Sequence, residues 1–138
     1  MQPPFPSLTA TWHNDTYPSI SPTRPELSAA GKTVVITGGG QGIGRGIVSA
    51  FASAGAKSIA ILGRTQRTLT ETKDVVGAQY PNTSITTHVV DVTEAAAVKT
   101  AAETIGAWDV LVLNAGFLSE PSTVKDADVV DWWKAFEV

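Results

Sequence analysis

The stretch Thr37-Gly38-Gly39-Gly40-Gln41-Gly42-Ile43-Gly44 concentrates five glycines in eight residues. Glycine adopts positive φ at little cost and lets a ligand approach the backbone closely, so such a turn suits a phosphate. A helix starting there would add unpaired amides and a partial positive charge. The rival reading is a glycine-rich hairpin. It is disfavoured because Ile43, Ile47, Phe51 and Ala54 follow at helical spacing rather than alternating. No Gly-Lys-Ser/Thr follows the glycines, so the P-loop pattern is also absent. Further groups able to bind a ligand stand just beyond apolar runs: Arg64, Asp91 with Val92, and Asn114-Ala115-Gly116.

The elements that must position these groups can be read from patterning. Lys32 to Thr37 is a short β-branched run ending at the glycines, as a buried parallel strand should. Gly42 to Ala54 reads as a helix, Ser58 to Leu62 as a strand and Gln66 to Gln79 as a polar surface helix. A third strand is expected over Ile85 to Val90, an alanine-rich helix over Glu94 to Ile105 and a fourth strand over Asp109 to Leu113. Another helix should begin at Asp126. Strand and helix alternate throughout, which implies βαβ units and a parallel sheet. The expected fold is α/β, a doubly wound Rossmann-like sheet of about four strands in the order 3-2-1-4, with a ligand crevice where the order reverses.

Composition bounds the function. The chain has 138 residues, 43% hydrophobic and 17% charged, which suits one packed domain. Its net charge of −3 has the signs interspersed, so neither a nucleic-acid face nor a membrane patch is expected. With no cysteine there is no disulfide framework and no thiolate metal site, and no metal is expected. No apolar run approaches the roughly 20 residues of a membrane span, and a cytoplasmic protein is the expectation. Six of the eight prolines fall within the first 25 residues, so residues 1–31 read as an irregular arm and 32–138 as the nucleotide-binding part. Phe5, Leu8, Trp12, Tyr17 and Ile20 are available to pack the arm against its own domain or a partner, and no role is expected for His13.

The glycine spacing fits Thr-Gly-x-x-x-Gly-x-Gly at Thr37, Gly38, Gly42 and Gly44 rather than Gly-x-Gly-x-x-Gly. With Asp91-Val92 after the third strand and Asn114-Ala115-Gly116 after the fourth, it resembles the short-chain dehydrogenase/reductase family over roughly Lys32 to Val138. Leu113 stands where the family's Asn-Asn-Ala-Gly has its first asparagine. The resemblance implies a cofactor site of Gly38, Gln41, Gly42, Ile43, Gly44, Arg64, Asp91, Val92, Asn114, Ala115 and Gly116. Gly42 and Ile43 would lie against the pyrophosphate and adjoining ribose, Asp91 would take the adenine amino group, and Asn114 with Gly116 would pass close to the ribose. Bland roles stand beside these. Asp91 could cap the following helix, and Asn114 could simply hold the fourth strand.

An acidic residue about 20 positions beyond the glycines would bond the ribose 2′-hydroxyl of NAD. Leu62-Gly63-Arg64-Thr65 has no carboxylate there, and the Arg64 fork suits a 2′-phosphate. NADP(H) is therefore the expected cofactor, ahead of NAD, with Arg45 and Arg67 left out of the site. The family's chemistry uses a serine and a Tyr-x-x-x-Lys pair, in which the lysine lowers the tyrosine pKa. Here Ser21 stands four beyond Tyr17 and Ser84 four beyond Tyr80, so no catalytic residue is assigned.

The segment from Trp132 to Val138 resembles the lead-in to the family's central helix, and Trp132 and Phe136, four apart, should pack on the sheet. The expectation is a truncated NADP(H)-dependent oxidoreductase, exchanging hydride with a carbonyl or secondary alcohol by descent and inactive alone. Its partner would be the dinucleotide, with no prediction of oligomeric state. Its fourth strand would be an exposed apolar edge, making the chain marginally stable or prone to aggregate. The alternative is a non-catalytic dinucleotide-binding or subunit-interaction module. Another doubly wound binder, such as an S-adenosylmethionine-dependent methyltransferase, fits the three ordered motifs poorly.

Overall fold

A computed structural model describes Pro6 and residues 8–138. Four strands, β1 (Thr33–Thr37), β2 (Ser58–Gly63), β3 (Ser84–Val89) and β4 (Val110–Val112), form one parallel sheet in the order β3-β2-β1-β4. The helices α1 (Gly42–Ser53), α2 (Gln66–Gln79) and α3 (Ala95–Ile105) make the crossovers, and α4 (Val129–Glu137) follows β4. The doubly wound order expected from alternation is the observed one.

Register decides which residues face which layer. Val34, Ile36, Ile59, Ile61 and Ile85 point to one face, where Val48 and Ala52 of α1 and Leu69 and Val76 of α2 close a buried cluster. Full burial of each large aliphatic side chain stabilises the fold by roughly 2 kcal/mol. The other face is thinner: Val35, Ala60, Leu62 and Val90 pack with Ala101 of α3. Leu111 pairs in register with Val35 on that second face, yet it is 48% exposed, and Leu113 two residues on is 79% exposed.

Packing of α4 on the sheet does not occur. None of its residues is buried, and the Trp132 and Phe136 rings instead meet each other at a tilt of 58°, with centroids 4.8 Å apart. The helix starts at Val129, not Asp126, because Asp126 closes a turn with Thr123 and Asp128 takes the cap. The cap carboxylate accepts from the Val130 and Asp131 amides at 2.8 and 2.9 Å.

The arm joins the domain at its end, where Ala29 is buried and Ala30 bridges to Ala56. Of the side chains available for packing, Leu8, Trp12 and Ile20 are exposed, whereas Tyr17 is half-buried and stacks on His13. Phe5 lies outside the described residues. Among the described residues no helix is long and apolar enough to cross a membrane.

Candidate functional site

The loops leaving all four strands converge at one end of the sheet around a cleft of about 230 Å³. Its floor is the glycine turn. Gly38 sits at φ 68°, and a Cβ there would come within 2.8 Å of Asn114 Nδ2 and 3.0 Å of Ala115 Cα. A Cβ on Gly44, in the first turn of α1, would lie 2.0 Å from the Gly38 carbonyl oxygen. The helix is thus seated directly on the end of β1, a distance only glycine permits. Gly42 has φ 54°, and a Cβ there would meet nothing within 4 Å. Backbone conformation requires glycine at that position, while the space beside it stays open.

Gly38, Gln41, Arg64, Asp91, Val92, Asn114, Ala115 and Gly116 all line the cleft. The structure brings these eight expected residues together from four separate loops. Gly42 and Ile43 lie beside it at the start of α1, with Ile43 79% exposed, and Gly44 is buried beneath as the packing contact. Gly40, Gly63, Thr65, Thr68, Val90 and Val138 also line the cleft. Val90 ends the third apolar run, so its position had a signal in the sequence. Thr68 had none, because helical phase relative to the glycine turn is not encoded in spacing.

Asn114 ties the end of the edge strand β4 to the end of β1. Its Nδ2 donates to Thr37 O at 3.0 Å and Gly38 O at 3.3 Å. Thr37 Oγ1 accepts from the Asn114 and Ala115 amides, each at 3.0 Å. Asn114 therefore has the strand-holding role while also bordering the cleft. Asp91 does not cap α3. Its Oδ1 accepts from Thr93 N at 3.0 Å and Thr93 Oγ1 at 2.8 Å, ahead of a helix that begins at Ala95. The Thr93 amide chiefly, then its hydroxyl, with the charge of Arg64 adding, holds the Asp91 carboxyl below the usual aspartate range.

Two of the three arginines near the turn, Arg45 and Arg67, share the acidic partner Glu71. Arg45 bonds Thr72 Oγ1 and Gly40 O, and Arg67 pairs with Glu71 one turn along α2. Arg64 has no salt bridge within 4 Å among the described residues, and it borders the cleft. A cleft bounded by a helix N-terminus and this guanidinium is set up for phosphate. Among the described residues no group of three or more His, Asp or Glu could hold a metal ion.

The short chain dehydrogenase family model matches residues 32–138. The short chain dehydrogenase pigC of Monascus ruber is 39% identical over 140 residues, covering 95% of this chain and 45% of that protein. A short chain dehydrogenase/reductase of Claviceps purpurea is 43% identical over 111 residues, covering 80% of this chain and 38% of the relative. The chain thus spans less than half the length of either. Among solved structures, L-sorbose reductase from Gluconobacter frateurii, complexed with NADPH and L-sorbose, superposes with a TM-score of 0.68 at 30% identity. That match covers 80% of this chain and 42% of the reductase. An NAD+-bound xylitol dehydrogenase superposes with a TM-score of 0.71 at 26% identity, covering 79% of this chain and 42% of the other.

Proposed function

The chain belongs to the short chain dehydrogenase family, and from that premise we propose that its cleft binds NADP(H) in preference to NAD(H). The observation that carries this is Arg64, just beyond the end of β2, lining the cleft without a salt bridge among the described residues, where an NAD-selective site would place a carboxylate. The residues fit the group. The Gly38–Gly44 turn leaves the open side that a pyrophosphate needs, and the α1 N-terminus supplies its amides. Asp91 and Val92 would take the adenine, Asn114 and Gly116 the ribose, and Arg64 the 2′-phosphate. Solved relatives support the dinucleotide but divide on its type: one is complexed with NADPH and another with NAD+.

When bound, the nicotinamide would supply or accept hydride in exchange with a carbonyl or secondary alcohol. Within these 138 residues neither tyrosine is followed four positions on by lysine. The chain taken alone is therefore proposed to hold the dinucleotide without turning it over. Calorimetric titration of the chain with NADPH and NADH tests this, followed by incubation of the NADPH complex with aldehyde and ketone substrates. The expected result is NADPH binding at least about tenfold tighter, as one charge-assisted phosphate contact allows, and no loss of absorbance at the nicotinamide band. Tighter binding of NADH would overturn the Arg64 argument.

A further inference from the structure

Thr72 is a polar core residue that the dinucleotide reading leaves unexplained. It is fully buried in the middle of α2. A threonine inside a helix ordinarily returns its hydroxyl to a carbonyl of its own helix. In α3, Thr100 does so to Ala96 O at 3.0 Å and Thr104 to Thr100 O at 2.8 Å. Thr72 instead leaves its helix. Its Oγ1 donates to Gly40 O at 2.8 Å and accepts from Arg45 Nε at 2.8 Å. Arg45 Nη2 donates to the same carbonyl at 3.1 Å, and a Glu71 carboxylate oxygen 3.7 Å away balances its charge.

One carbonyl of the glycine turn is therefore held by two donors from two different helices. The peptide it belongs to is planar and trans, so its C=O and the next N–H point in opposite directions. With Gly40 O drawn toward α2, the Gln41 N–H is turned the other way, and Gln41 lines the cleft. A flipped peptide would present a carbonyl oxygen to the ligand and repel an anion.

We propose that Thr72 and Arg45 are positioning residues for dinucleotide binding, a bridge between α1 and α2 that locks the Gly40–Gln41 peptide with its N–H toward the 5′-phosphates. The inference rests on the dinucleotide reading above and adds to it a selective dependence on the pyrophosphate. Neither residue touches the ligand; both act through the Gly40 carbonyl.

The test compares NADPH with adenosine 2′-monophosphate, which keeps the adenosine and 2′-phosphate but has no 5′-phosphates. Thr72→Val preserves shape and removes the hydroxyl; Thr72→Ser restores it; Arg45→Met removes both arginine donors at a half-exposed position. Thr72→Val and Arg45→Met are expected to weaken NADPH roughly tenfold and leave adenosine 2′-monophosphate unchanged within about twofold. Thr72→Ser should bind NADPH like the parent chain. Equal weakening of both ligands, or NADPH binding untouched in both variants, overturns the bridge while leaving the cofactor reading intact. A parent chain that binds neither ligand overturns the cofactor reading and the bridge with it. Should Thr72→Val fail to fold, the Arg45→Met titrations decide between these outcomes.

Discussion

At the scale of single residues, two side chains flanking β4 tie that strand to β1 at its opposite ends. Asp109 accepts from the Thr33 amide at 2.8 Å and from Lys32 Nζ at 3.2 Å. The Thr33 amide chiefly, then Lys32, keeps its carboxyl below the usual aspartate range. A depressed carboxylate contributes stability that is present above its unfolded pKa and lost as pH falls through the folded one. Thermal melts should therefore lose stability below about pH 4, and Asp109→Asn should flatten that acid limb while lowering the melting temperature at neutral pH. An unchanged acid limb would show that the contact is not felt. At the cleft end, Asn114→Ala removes two donations to the Thr37 and Gly38 carbonyls. The expected cost is about 1 to 2 kcal/mol in urea unfolding, and a variant as stable as the parent would mean that the strand ends need no tie.

Elements show where the sequence is legible and where it is not. The limits of α2 read from periodicity are those observed, and β3 is shifted by one residue at each end, because hydrophobic period reports local structure directly. The start of α4 is misplaced by sequence reading because Asp126 and Asp128 are both plausible caps, and only the Thr123 turn distinguishes them. Its packing is misread as well: a stripe of Trp132 and Phe136 shows that a face is apolar, not what covers it. In the site, the residues following each strand are readable because parallel order brings strand ends together. The Thr72–Gly40 contact is not, since it joins residues 32 positions apart across two elements whose relative rotation spacing does not encode.

Two predictions belong at this scale. Gly44→Ala should destabilise the fold severely, on the order of 3 kcal/mol, because its Cβ would strike the Gly38 carbonyl. Gly42→Ala has open space and only a positive φ to overcome, costing about 1 kcal/mol. Chemical denaturation of both variants checks the order. Because α4 buries nothing and is short, Asp128→Ala should cost it about 1 kcal/mol, read as lost helical circular dichroism.

Over the whole molecule, one face of the sheet is covered more completely than the other. Leu111 on β4 and Leu113 just beyond it expose apolar surface at an unpaired strand edge, and Trp133 and Phe136 on α4 are exposed as well. Such an edge is a template for pairing. The chain should associate with rising concentration in light scattering, and Leu113→Lys should suppress this; a parent chain that stays monomeric contradicts the expectation. The same architecture gathers the groups of the proposed dinucleotide site from separate loops at one end of the sheet, and in that proposal Arg64 selects the dinucleotide. The most direct measurement is the ratio of the NADH to the NADPH dissociation constant in the parent chain and in Arg64→Asp. The account predicts a ratio of roughly ten or more in the parent, falling below one when a carboxylate replaces the guanidinium and can accept from a ribose 2′-hydroxyl. A ratio that the substitution leaves unchanged would contradict it.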